Sequence, residues 1–122
     1  MAKINITNAP TGWRIEKEAK IIKKYQKELD KWFRENSWKY WSSPSILARL
    51  YEGCGEFARL VNHLYGEKPK KDGGKEQELE EEIGDIIYIL ICFANSHNDV
   101  DKAIRKSFDK VMSRDKDGCN KK

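Results

Sequence analysis

At 122 residues, with 39% hydrophobic and 36% charged side chains, the chain suffices for a single core. It is too polar for a membrane protein and too apolar for a disordered one. A net charge of +4 permits contact with polyphosphates or nucleic acid without demanding either. Cys54, Cys92 and Cys119 form no CxxC pair, and there is neither an N-terminal apolar h-region nor an apolar run of bilayer length, so a reduced, cytoplasmic setting without a membrane anchor is expected.

Residues 1–12 read as an irregular arm, residues 13–114 as one helical domain and residues 115–122 as a loose tail. A first helix is expected from about Trp13 to Asn36, with Ile15, Ile22, Tyr25, Leu29 and Trp32/Phe33 on one face at spacings of three or four. An aromatic connector follows, with Trp38, Tyr40 and Trp41. Ser43 and Pro44 supply a cap and a first-turn proline for a second helix that ends at Tyr65, before Gly66. The breakers and lysines of residues 66–74 mark an exposed loop. A third helix is expected from Glu76 to about Ser96, and a fourth from an Asp99 cap to about Arg114. No segment alternates as a strand does, so the fold class is all-α, with about four helices.

At 100° per residue, Leu47, Leu50, Tyr51, Cys54, Phe57, Ala58, Val61 and Leu64 define the expected core side of the second helix. Arg49, Glu52, Gly53, Glu56 and His63 fall away from its centre. The third helix is acidic at its start and then apolar all round, which predicts the most buried element. Gly55 and Gly84 each cost roughly 1 kcal/mol inside a helix. That cost suggests close helix approach at both.

Two short segments repeat one pattern of acid, variable residue, apolar or Cys, glycine, acid. They are Glu52-Gly53-Cys54-Gly55-Glu56 and Glu81-Glu82-Ile83-Gly84-Asp85. Glu82 and Asp85 are three apart and share a helix face, and Asp85 runs straight into the uncharged stretch Ile86 to Ala94. A carboxylate buried there needs a cation beside it. The plain alternative is a solvated acidic helix start, which accounts for Glu78, Glu80 and Glu81 through the helix dipole. It leaves Asp85 and the second copy at Glu56 unexplained, and facing carboxylates on two helices suit a divalent metal.

The stretch Ala48 to Arg59, then Val61-Asn62-His63 and Tyr65 to Lys71, together with Glu80 to Asp85, Ala94-Asn95-Ser96 and Lys110 to Asp115, resembles the MazG-like nucleoside triphosphate pyrophosphohydrolases over roughly residues 40–117. The resemblance implies helical protomers assembled as a dimer or tetramer. It also implies conversion of an NTP or dNTP to the monophosphate and pyrophosphate, often to clear non-canonical nucleotides. Magnesium, with manganese as a substitute, would be held by an ExxE and an ExxD motif. Glu82 and Asp85 match ExxD and Glu56 the second acid of ExxE, while the first falls on Gly53. Glu52, one turn before Glu56, is the candidate replacement, so the expected catalytic and metal set is Glu52, Glu56, Glu82 and Asp85.

Lys110 and Arg114 match the family's basic pair and are expected on substrate phosphates, although helix-end cations are also favoured by the dipole. Asn95 is a candidate substrate contact, and Trp41 a candidate stacking face for a base, with a packing role as its alternative. His63 reads as structural. Two other functions compete with the enzyme: a nucleotide-binding or regulatory module that lost catalysis with the acid at Gly53, and a nucleic-acid-binding protein. The acidic cluster and the dispersed cations argue against the last.

Overall fold

The computed structural model describes residues 20–67 and 76–115. The arm, the lysines at 68, 70 and 71 and the tail beyond Asp115 lie outside them, and the first helix, expected from about Trp13, begins only at Ile21, with Lys20 as its N-cap outside the helix. Four helices occupy the described chain, α1 (Ile21–Glu35), α2 (Ser43–Tyr65), α3 (Glu76–Ala94) and α4 (Val100–Asp115), with no strand among the described residues. No described helix is long and apolar enough to cross a membrane. The chain divides into two compact units, one containing α2 and α3 (residues 39–96) and one containing α1 and α4.

Within the first unit α2 packs along α3. Ile46, Gly53 and Leu60 of α2 are buried, with Leu50, Phe57 and Leu64 half-buried between them. This seam alternates steps of four and three, the spacing of helices packed side by side. It lies one residue away from the expected face, for Leu47, Tyr51, Cys54 and Ala58 are exposed. The helix carries apolar residues on two adjacent faces, and α3 meets the one that contains Gly53. A Cβ at Gly53 would touch Ile86 at 3.6 Å and Ile89 at 3.8 Å, whereas one at Gly55 or Gly84 would meet nothing within 4 Å. Close approach therefore occurs at Gly53, not at the two expected glycines.

On α3, Ile91, Cys92 and Ala94 are buried, but Ile83, Ile87, Tyr88, Leu90 and Phe93 are exposed. The helix is apolar all round without being enclosed, since α2 covers one side of it. Ser42, rather than Ser43, is the N-cap of α2, with Pro44 in the first turn. The Ser42 hydroxyl bonds the Ser45 hydroxyl at 3.1 Å. At the other end the Gly66 N–H donates to the Asn62 carbonyl at 2.9 Å, and a Cβ at 66 would collide with Asn62. Tyr40, in the connector, accepts a 2.8 Å bond from Asn95 Nδ2 and so ties the entry of α2 to the exit of α3.

The second unit is joined by polar groups. Asp101, buried in the first turn of α4, accepts the backbone N–H of Ile22 at 3.1 Å and of Lys23 at 2.7 Å, capping the start of α1. Gln26, also buried, accepts the Val100 N–H at 3.1 Å and donates to the Asn98 carbonyl at 2.9 Å. Asp99 caps α4 through the Lys102 N–H at 3.3 Å, and Lys23 lies 3.7 Å from its carboxylate. The end of α1 turns through Ser37 at φ 56°, with the Trp38 N–H on the Phe33 carbonyl at 2.8 Å and the Ser37 N–H on that of Arg34 at 3.3 Å. This is a left-handed helix stop sealed by a contact between the Phe33 and Trp38 rings, whose centroids are 5.7 Å apart and set edge to face.

Candidate functional site

The antiparallel run of α2 against α3 sets Glu56 beside Glu82, one turn along from the contact of Gly53 with Ile86 and Ile89. Glu56 and Glu82 are both half-buried. Glu82 Oε2 is shut off from solvent and has no hydrogen-bond partner among the described residues. Burial first, then the charge of Glu56 and a side-chain hydrogen bond shared with it, then the charges of Asp85 and Glu81, hold the Glu82 carboxyl above its ordinary 4.5, while Oε2 itself is left without a partner. A carboxylate in this state lacks a positive partner.

The acid left unmet is therefore Glu82. Asp85, expected to be buried against the apolar run, is exposed, because the α3 face that carries it turns past the seam. Its charge still acts on Glu82. Glu52 is exposed as well and lies outside the groove lining. Gly53 contributes no side chain and is packed on isoleucines.

A groove of about 640 Å³ opens at this place, lined by Glu56, Arg59, Leu60 and His63 of α2 and by Glu78, Glu81 and Glu82 of α3. Glu78 and Glu81 belong to the acidic helix start and still face the groove. His63, read from the sequence as structural, and Arg59, to which no role was given, line the groove with Glu56, since steps of three and seven residues put all three on one helix face. Among the described residues no three acids, histidines or cysteines stand in an arrangement that holds a metal. Glu56 and Glu82 do provide two hard oxygen donors, one of them orphaned. That fits magnesium, which binds through one or two carboxylates and fills its remaining positions with water and phosphate oxygens.

The other expected substrate residues are placed apart from this groove or in a different unit. Asn95 is engaged with Tyr40. Trp41 is exposed, but the Arg49 guanidinium lies 3.8 Å over its ring, which occupies one face. Trp38, also in the connector, packs edge to face on Trp32 and Phe33. Lys110 and Arg114 are exposed one turn apart on α4, in the second unit.

Residues 42–119 match the family model of the MazG nucleotide pyrophosphohydrolase domain. The uncharacterized protein YpjD of Bacillus subtilis is 42% identical over 107 residues, covering 84% of this chain and 94% of its own. The crystal structure of YpjD from Bacillus subtilis, a proposed pyrophosphatase, superposes with a TM-score of 0.57 at 38% identity over 86% of this chain and 99% of that one. A Bacillus-conserved MazG protein, a nucleotide pyrophosphohydrolase, superposes with a TM-score of 0.64 at 41% identity, covering 82% of this chain and 98% of that one.

Proposed function

The chain belongs to the MazG nucleotide pyrophosphohydrolase family, and we propose that it hydrolyses a nucleoside or deoxynucleoside triphosphate to the monophosphate and pyrophosphate in a cytoplasmic, nucleotide-clearing role. The observation that carries this reading is the half-buried Glu82 carboxyl, its Oε2 without a partner among the described residues, beside Glu56 in an open groove.

Glu56 and Glu82 are the carboxylates that would hold magnesium, and Asp85 and Glu52 complete the proposed acidic set around it. Such an ion would offset phosphate charge, including the charge that develops in the transition state. An acid of the set orients the attacking water and takes its proton while the anhydride bond breaks and pyrophosphate leaves. Lys110 and Arg114 are assigned to phosphate oxygens. Asn95 and Trp41 are assigned to the nucleoside, Trp41 through the ring face not covered by Arg49.

The protein is also proposed to work as a dimer or tetramer. Support comes from apolar side chains exposed on both helices of the first unit, among them Leu47, Tyr51, Ile83, Ile87 and Leu90. Light scattering at micromolar concentration that finds a stable monomer would refute this part.

A nucleotide-binding module with lost catalysis is the second reading, favoured by Gly53, whose position supplies no oxygen. Incubation with each NTP and dNTP plus magnesium, with identification of products, separates the two. Monophosphate and pyrophosphate, lost in excess EDTA and restored by magnesium or manganese, support the enzyme. Orthophosphate with a diphosphate, or turnover that persists in EDTA, sinks it. Tight nucleotide binding without turnover establishes the module.

A further inference from the structure

The two walls of the groove differ in charge. The α3 wall offers only acids, Glu78, Glu81 and Glu82, whereas α2 presents Arg59 and His63 beyond Glu56. Among the described residues neither Arg59 nor His63 makes a hydrogen bond or ion pair, although four carboxylates line the same groove. The basic and acidic walls thus stand beyond salt-bridge reach of each other. A guanidinium that leaves every neighbouring carboxylate unpaired is open to an anion, and the space between the walls is open to a ligand.

A polyphosphate complexed with a divalent cation carries both signs, and it matches a groove divided in this way. Its cation faces acids and its outer oxygens face donors. Arg59 offers a planar fork suited to two phosphate oxygens at once, and His63, one turn further, offers an N–H. We propose that Arg59, with His63, binds the phosphate chain of the substrate and of the pyrophosphate product on the α2 wall of this groove. The assignment rests on the hydrolase reading above and adds a phosphate contact from α2 to the one given to Lys110 and Arg114.

The test is calorimetric titration of the full chain with inorganic pyrophosphate in excess magnesium, alongside KM for the triphosphate. Arg59→Ala is expected to weaken pyrophosphate binding by roughly tenfold or more and to raise KM comparably, with unchanged melting and an unchanged magnesium-induced thermal shift. Arg59→Glu should lose more, Arg59→Lys should recover part, and His63→Asn should show a smaller loss. Arg34→Ala, which removes the same charge from an exposed pair with Asp30, should match the wild type. If the wild type forms monophosphate and pyrophosphate while Arg59→Ala and Arg59→Glu bind pyrophosphate normally, this assignment falls and the hydrolase reading stands. A wild type that releases no pyrophosphate overturns both.

Discussion

Asp101 and Glu82 each lie toward the start of a helix that packs on a neighbour, one in each unit of the molecule. Asp101 is buried at 7% exposure and receives two backbone N–H groups from the first turn of α1, so its charge is met by donors that would otherwise be orphans. Glu82 Oε2 is shut off from water and has no hydrogen-bond partner among the described residues, and the charges that act on its carboxyl are those of Glu56, Asp85 and Glu81. The first carboxylate is explained by the fold alone. The second has one oxygen with no partner among the described residues, which is where magnesium is proposed to bind. Both units expose large apolar side chains, Ile21, Tyr25 and Val111 in the one and Leu47, Tyr51 and Ile87 in the other, but the groove and the orphaned Glu82 oxygen belong to the unit with the apolar seam.

Glu82→Gln is the most direct way to break the contrast. Metal-dependent turnover should fall by about a hundredfold or more. In EDTA at neutral pH the variant should melt above the wild type, since the amide removes a charge that burial and Glu56 oppose. Calorimetry showing that the metal-free variant melts below the wild type would mean that the charge is already compensated. Asp101→Ala should act the other way and cost about 2–3 kcal/mol in urea unfolding, because two N–H groups lose a charged acceptor. A loss below half that would show that α1 does not depend on this cap.

Acidity separates the two units next. Glu82 titrates above its ordinary 4.5, so the folded metal-free protein binds more protons than the unfolded chain as pH rises from there. Its stability then decreases through that window and is regained on acidification. The Lys102 N–H, with Lys23 nearby, holds Asp99 below its ordinary 3.8, so the stability it contributes is full above that value and is lost as pH falls through the depressed one. Melting curves in EDTA should therefore rise as pH falls from neutrality through the raised Glu82 titration, before they fall in stronger acid, and Glu82→Gln should flatten the first limb alone.

Gly53→Glu sharpens the comparison at the seam. A Cβ there makes ordinary contact with Ile86 and Ile89, so Gly53→Ala should gain a few tenths to ~1 kcal/mol, whereas Gly53→Glu, which adds a third carboxylate near Glu56 and Glu82, should lose that gain to packing against the isoleucines unless magnesium is present. Magnesium affinity, read by calorimetry, should rise together with turnover. If Glu52 already serves, the added acid should help little and Glu52→Gln should damage catalysis. The smallest effect belongs to Ser37→Gly, which relieves a left-handed residue and should add about 0.5–1 kcal/mol in urea unfolding. A destabilised Ser37→Gly would show that the Ser37 side chain, not the backbone, holds that turn.

Much of this molecule is legible along the chain. Gly66 stops α2, Asp99 caps α4, and apolar periodicity with the turn residues locates α2, α3 and α4 to within about two residues, whereas α1 begins at Ile21 and not near Trp13. The repeated acid–glycine–acid pattern and its flanking motifs identify the family, and the spacing of Glu82 and Asp85 puts two acids on one turn. These are local properties, fixed by 3.6 residues per turn and by caps that act within four residues.

Tertiary contact decided the rest. Two adjacent faces of α2 are apolar, and periodicity could not say which one α3 would cover. Its choice of the Gly53 face exposed Leu47 and Tyr51 and brought Glu56 to Glu82. It left Asp85 in solvent and made Glu82 the unmet acid. The cap that Asp101 supplies to α1 spans almost the whole described chain, and Arg59 and His63 became groove residues only when an acidic helix lay opposite them. A helix fixes which residues share a face, but burial, charge and exposure on that face depend on what packs against it, and that information is not local to any segment.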